Sequence, residues 1–195
     1  MKTNNNGTTS TDATTQLQAN SSQVTVNEVK INKDMADVNS ETQASGKENQ
    51  TFFVLKVDNS GDIPKAELTS IRGPQGSNTE TEIDVNSNRD PARQGANFVG
   101  KISEGNIFQG QIHGHPLLEE PGKSNVPGTS EKDANTATLL KTPIYSMDSY
   151  TGDKNPSINR ITPGGQPEIG VGTVGVSNIT IALDALKRTS GIIKN

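Results

Sequence analysis

The 195-residue sequence contains no cysteine and no tryptophan, and aromatic residues make up only 3% of it. The absence of cysteine excludes disulfides, thiolate metal sites and cysteine nucleophiles. Hydrophobic residues make up 29% of the chain, and no apolar run approaches the length needed to cross a membrane. The net charge is −4, whereas nucleic-acid-binding surfaces carry a basic excess. We therefore expect neither a membrane association nor a nucleic-acid partner.

The first 23 residues are almost all Asn, Thr, Ser, Gln and Gly. Such a composition cannot bury enough apolar surface to offset the entropy lost on ordering. We predict a disordered polar N-terminal tail over residues 1–23 and a single domain over residues 24–195. The first residues also lack the apolar stretch of a secretory signal. The expected location is therefore the cytoplasm, or the outside of the cell by a secretion route that uses no signal peptide.

Local patterns predict an α+β domain with a mixed, mostly antiparallel sheet flanked by helices. Val24 and Val26 alternate like a strand, and a weak helix follows and ends near Gly46. The clearest strand is TFFVLKV at 51–57, which is rich in β-branched and aromatic residues. Other strands are predicted at 66–71, 82–85, 97–102, 106–112, 143–147 and 158–162, and other helices at 130–141 and 178–189.

The two histidines of the chain are His113 and His115, at the end of a predicted strand. Residues i and i+2 of a strand point to the same face, so the two imidazoles can converge on one metal ion. Because glycine has no side chain, Gly114 is expected to leave the face of the strand opposite the two imidazoles uncrowded. Pro116 is expected to end the pairing of this strand with its neighbours. Taken alone, the same pattern favours two surface histidines on an edge strand. Two histidines also exclude any metal site that needs three imidazoles from one chain.

A second feature begins at Ser130, immediately before a helical pattern, with Asp133 three residues later. Taken alone, this pair is a helix N-cap with an acidic residue in the first turn. The cap would also hold Asp133 rigidly, facing back toward the strand end. Together with His113 and His115 it supplies two nitrogens and one oxygen, a ligand set typical of catalytic zinc with a fourth position for water. The sequence therefore predicts a Zn²⁺ site.

The order His-x-His-Pro followed by Ser-x-x-Asp resembles the JAMM motif of the JAB1/MPN/Mov34 metallopeptidase family. The family motif also has a glutamate at the start of an upstream hydrophobic strand, a position that Glu48 fits. The resemblance implies a cytidine-deaminase-like JAB/MPN fold. It also implies that His113, His115 and Asp133 ligate zinc, that Glu48 is the general base, and that Ser130 stabilises the oxyanion.

The sequence departs from the family in one loop. Seventeen residues separate His115 from Asp133, more than in the family, although an inserted loop costs little closure entropy. Glu119 or Glu120 is an alternative carboxylate ligand. Weaker candidates for the base are the other upstream glutamates, Glu41, Glu67, Glu80 and Glu82.

The resemblance implies a zinc metallopeptidase or isopeptidase that hydrolyses an amide bond of a protein or peptide substrate. Residues 143–162 are also similar to the JAB-like domains at the C termini of bacterial polymorphic toxins and RHS-type proteins. This similarity implies a bacterial toxin or effector, with an immunity protein as its partner. The alternatives are an inactive JAB/MPN-like scaffold or binding module, and an unrelated surface protein tethered by its polar tail.

A glycine pattern near the end of the chain spells G-x-G-x-x-G with Gly170, Gly172 and Gly175. A dinucleotide site needs this pattern inside a βαβ unit, with an acidic residue some 20 positions further on. The sequence does not supply that context. We therefore interpret these glycines as a flexible connection to the predicted final helix.

Overall fold

The computed structural model describes residues 24–58, 60–62, 65–79, 81, 106–119, 121–122 and 124–174. The predicted disordered tail, the strands expected at 82–85 and 97–102 and the helix expected at 178–189 lie outside the described residues. The described elements, in chain order, are β1 (Val24–Val26), α1 (Glu28–Ser45), β2 (Gln50–Asp58), β3 (Lys65–Arg72), β4 (Asn106–Gly114), α2 (Glu131–Leu140), β5 (Ile144–Met147), a short 3₁₀ helix (Ser149–Thr151), β6 (Ser157–Ile161) and β7 (Glu168–Thr173).

The seven strands of the described part form one mixed sheet in the order β1-β3-β2-β4-β5-β6-β7. β1 is parallel to β3 and β4 is parallel to β5. The other four neighbouring pairs are antiparallel. The prediction of an α+β fold with a mixed, mostly antiparallel sheet is therefore confirmed.

Helix α1 is defined by a cap at each end. The side chain of Asn27 accepts a hydrogen bond from the Lys30 amide at 3.2 Å. At the other end Gly46 adopts φ +63° and its N–H donates to the Thr42 carbonyl at 3.1 Å, a conformation that glycine adopts without steric cost. The prediction of a helix ending near Gly46 is confirmed.

The main core lies between α1 and one face of the sheet. Ile31, Met35 and Val38 follow helical spacing, and each is completely buried. They pack with Phe53 and Tyr145 of the sheet, whose rings meet edge to face with centroids 6.1 Å apart. α1 therefore covers the face of the sheet to which these two aromatic side chains point.

Helix α2 covers the opposite face. Its buried residue Ala137 packs with Ile144 and Ile161 of β5 and β6. Successive strand residues point to opposite faces, so Ile144 points away from its neighbour Tyr145. His113 pairs with Ser146 of β5, two residues after Ile144, and so lies on the α2 face.

The glycine-rich segment near the end of the described region is a strand and not a flexible connection, so our interpretation of Gly170 and Gly172 is wrong. Gly175 lies outside the described residues. β7 pairs with β6, with Gly172 opposite Ile158. The register shifts between Ile158 and Arg160, and Gly170 adopts φ +68° while its N–H donates to Asn159 Oδ1 at 3.1 Å. One type of β-bulge places a glycine in this left-handed conformation, which accounts for a glycine within the strand.

Within the described residues, neither helix combines the length and the apolar character that a membrane-spanning segment requires.

Candidate metal centre

The two histidines stand at the end of β4, between β2 and β5. His113 lies opposite Gln50 on one side and Ser146 on the other. His115 follows the strand, and its backbone N–H donates to the Met147 carbonyl at 2.8 Å. The Nε2 atoms of the two imidazoles are 3.1 Å apart. His113 is only 3% exposed and His115 is half-buried, so neither is an exposed surface residue.

Glu48 lies in the short connection between α1 and β2. Its backbone is held on both sides, because its N–H donates to the Ser77 carbonyl at 2.7 Å and its carbonyl accepts from the Gly76 N–H at 2.8 Å. The residue is 5% exposed. A carboxylate oxygen of Glu48 and one ring nitrogen each of His113 and His115 all lie within 4.8 Å of one another. This buried group could bind a metal ion.

The other candidate bases have different surroundings. Glu41 forms an ion pair with Arg72, with the guanidinium Nη2 2.6 Å from Oε2. Glu67 accepts a hydrogen bond from Asn27 Nδ2 at 3.1 Å on the β1–β3 edge of the sheet. Glu80 and Glu82 lie outside the described residues. Glu48 is therefore the upstream glutamate that the described structure brings to the histidines.

Asp133 uses its two carboxylate oxygens differently. Oδ2 accepts hydrogen bonds from the Ser130 backbone N–H at 2.7 Å and from the Ser130 hydroxyl at 2.8 Å. The Asp133 N–H donates back to Ser130 Oγ at 3.2 Å, which completes a capping box at the start of α2. Oδ1 lies 3.7 Å from His113 Nε2. The cap thus holds one oxygen while the other lies near His113.

Ser130 lies at the N-cap of α2 and is exposed. Its hydroxyl hydrogen is directed to Asp133 and its oxygen accepts from the Asp133 N–H. In this arrangement the hydroxyl orients the carboxylate. To stabilise an oxyanion it would have to turn its donor away from Asp133.

Among the described residues, the group whose ligand atoms all lie within 4.8 Å of one another consists of Glu48, His113 and His115 and does not include Asp133. Two separations among the predicted ligands His113, His115 and Asp133 are nevertheless close to the edge of a tetrahedral zinc site. Zinc bonds to nitrogen and oxygen of about 2.0–2.1 Å place tetrahedral ligand atoms about 3.3 Å apart. The observed separations are 3.1 Å between the two Nε2 atoms and 3.7 Å between His113 Nε2 and Asp133 Oδ1. Both values lie within a few tenths of an ångström of the tetrahedral edge. The donor set of two imidazoles and carboxylate oxygen is also one that zinc accepts.

Burial and, to a lesser extent, the nearby His113 lower the pKa of His115 to about 4, although Asp133 acts in the opposite direction. Neutral imidazole is the form that ligates a metal. His115 therefore stays neutral at physiological pH with a ring nitrogen available for coordination.

The long loop after His115 is held by Asn125. The Asn125 side chain accepts from the Leu118 N–H at 3.0 Å and donates to the Pro116 carbonyl at 2.9 Å. This loop borders a cavity of about 180 Å³ beside the candidate centre, lined by Glu48, Asn78, Thr79, His115, Pro116, Leu118, Ser124, Asn125 and Val126. The glutamate and one histidine of the candidate centre therefore border the same cavity.

Of the two alternative carboxylate ligands in this loop, Glu119 is exposed and borders a different cavity, beside the end of α1 and Tyr150. Glu120 lies outside the described residues. Among the residues that the structure describes, Asp133 is thus the downstream carboxylate whose oxygen lies near a histidine nitrogen.

Sequence reasoning missed one neighbour of the centre. Gln111 places its Oε1 3.2 Å from His113 Nδ1. The available signal was the i, i+2 spacing along β4, which puts the amide and the imidazole on one face.

Comparison of the sequence with models of known protein families finds no match, and comparison with curated protein sequences also finds none.

Proposed function

We propose that this chain is a zinc-dependent metallopeptidase of the JAB1/MPN/Mov34 type, which hydrolyses an amide or isopeptide bond of a protein or peptide. The observation that carries the proposal is the buried carboxylate of Glu48 beside two imidazoles whose Nε2 atoms are 3.1 Å apart. Neither a surface histidine pair nor a simple helix cap requires a glutamate at this place.

In the proposed enzyme His113, His115 and Asp133 hold the ion. Bound zinc would supply Lewis acidity, which lowers the pKa of a coordinated water and polarises a carbonyl oxygen. Asp133 suits its role because Ser130 fixes the other carboxylate oxygen through two hydrogen bonds. The ligand therefore needs little reorganisation to bind a cation.

Glu48 is the proposed general base. It would take the proton of the attacking water and pass it to the amine that leaves. Its burial and its backbone hydrogen bonds to Ser77 and Gly76 restrict its movement. Its proximity to both histidines also supports hydrolysis over the inactive-scaffold alternative, for which a glutamate remote from the histidines is expected.

Ser130 remains the proposed oxyanion-stabilising residue. Its hydroxyl hydrogen would move from Asp133 Oδ2 to the developing oxyanion, while its backbone N–H continues to hold that carboxylate oxygen. The substrate would enter through the cavity of about 180 Å³ that Glu48 and His115 line.

The test compares four forms of the full chain for zinc content and for cleavage of a peptide library that includes lysine isopeptides, read by mass spectrometry. We expect one zinc per wild-type chain and cleavage of a subset of peptides. Glu48→Gln should keep the zinc and lose about 100-fold or more of the cleavage rate. His113→Ala should lose the zinc.

The matched control is Glu67→Gln, the same change at a glutamate that pairs with Asn27 on another edge of the sheet. It should retain both zinc and cleavage. A wild-type chain that binds no zinc would refute the proposal, as would full cleavage by Glu48→Gln.

A further inference from the structure

A chain of buried side chains lies behind His113. Gln111 Nε2 donates to Gln50 Oε1 at 2.9 Å and to Thr81 Oγ1 at 3.1 Å. Gln111 Oε1 lies 3.2 Å from His113 Nδ1. Gln50 Nε2 donates to the Pro74 carbonyl at 3.0 Å. Gln50 and Gln111 are at most 1% exposed, so water does not compete freely for these groups.

The direction of each hydrogen bond follows from the Pro74 carbonyl, because a backbone carbonyl can only accept. Gln50 must therefore present its amide nitrogen to Pro74 and its oxygen to Gln111. That oxygen needs a donor, so Gln111 presents its own nitrogen to Gln50. The oxygen of Gln111 is then left to face His113.

An amide oxygen accepts and cannot donate, so the hydrogen of this contact belongs to His113 Nδ1. In a neutral imidazole with hydrogen on Nδ1, Nε2 carries an unprotonated lone pair. That lone pair is the one that faces His115 Nε2 at 3.1 Å, with Asp133 Oδ1 at 3.7 Å. The amide chain thus leaves His113 with its metal-binding nitrogen free of hydrogen.

We propose that Gln111 is a positioning residue that fixes His113 in the Nδ1–H tautomer and aims its Nε2 at the metal centre, with Gln50 setting the orientation of Gln111. The inference rests on the proposed function for the identity of the metal, whereas the tautomer is a property of the metal-free chain. Outer partners of metal-binding histidines contribute about 10- to 100-fold in metal affinity.

The first test measures the tautomer directly. Long-range ¹H–¹⁵N spectra of the metal-free wild-type chain report which ring nitrogen carries hydrogen. With only two histidines in the sequence, a His115→Ala variant assigns the signals. We expect His113 as the Nδ1–H tautomer in the wild type and a mixture of both tautomers in Gln111→Leu. An Nε2–H tautomer of His113 in the wild type would overturn the inference.

The second test measures zinc affinity by competition with a chelator. Gln111→Leu should bind zinc about 10- to 100-fold more weakly than the wild type. The matched control is Gln43→Leu, which removes an amide that donates to the Asp153 carbonyl at 2.8 Å and should leave zinc binding unchanged.

The two tests separate failure of the inference from failure of the proposed function. A wild-type chain without zinc affinity contradicts the proposed function, and the tautomer spectrum of that same chain still decides the role of Gln111. Wild-type zinc affinity in a folded Gln111→Leu refutes the positioning role while the metal site stands. If Gln111→Leu does not fold, the wild-type spectrum decides.

Discussion

Gly114, the glycine between the two histidines, is packed so closely that the fold leaves no room there for a side chain. A Cβ atom on Gly114 would lie 2.6 Å from Thr42 Oγ1, 2.8 Å from Ser149 Oγ and 3.0 Å from Thr42 Cβ. The expectation that the face opposite the histidines is uncrowded is therefore wrong, because α1 packs there. Alanine at this position requires β4 to move away from α1.

The size of the effect follows from these contacts. Extra methyl groups in a close-packed interior cost about 1–3 kcal/mol, and two contacts well below 3.0 Å favour the upper part of that range. For a chain of this length each kcal/mol lowers the midpoint of thermal unfolding by about 2–4 °C. Gly114→Ala should therefore lower it by about 4–12 °C. The same displacement moves His113 and His115, so zinc affinity should fall as well.

The assays are thermal unfolding of the full chain, for the midpoint, and urea unfolding, for the free energies of a double-mutant cycle. Thr42→Ala removes the closest atom, but it also removes the acceptor of the Asn49 N–H at 3.2 Å, so it is destabilising by itself. In the Gly114→Ala background the same change relieves the shortest of the three contacts, and we expect a favourable coupling of about 0.5–3 kcal/mol. Gly114→Ala within about 0.5 kcal/mol of the wild type, with unchanged zinc affinity, would refute the packing argument.

Two further predictions concern the groups around the histidines. Ser130→Ala removes the hydroxyl that caps α2 and holds Asp133 Oδ2, so urea unfolding should show a loss of about 1 kcal/mol; an unchanged free energy of unfolding would contradict it. Because burial lowers the pKa of His115 from 6.5 to about 4 in the folded state, protonation favours the unfolded chain, and the metal-free protein should lose stability as the pH falls below 6.5. The loss of unfolding free energy should reach about 2 kcal/mol by pH 5, and it should be absent in His115→Asn. If the unfolding free energies of the wild type and of His115→Asn fall in parallel with pH, the prediction is contradicted.

Several elements of the fold were predictable because their signals are local. The TFFVLKV run of β2 combines β-branched and aromatic residues, and Gly46 marks the end of α1 through its left-handed conformation. Strand β7 was not predictable, because its glycines have low strand propensity and its structure depends on pairing with β6. The parallel pairing of β1 with β3 joins segments some 40 residues apart, which no local pattern encodes.

The candidate centre likewise has one part that local sequence signals predict and another that depends on long-range strand pairing. The i, i+2 spacing of His113 and His115 is local, so their common face followed from the sequence. The orienting role of Gln50 depends on the cross-strand register that places it opposite His113. No spacing in the sequence reveals that register, and amide side chains carry no charge that would single them out.

Asp133 shows why a structural and a chemical interpretation of one residue need not compete. A carboxylate has two oxygens, and a capping box requires only one of them. Once Ser130 holds Oδ2, the direction of Oδ1 is set by the helix, and here it lies 3.7 Å from His113 Nε2. The capping interpretation of Ser-x-x-Asp and the ligand role that we propose for Asp133 are therefore compatible, because they use different oxygens of one carboxylate.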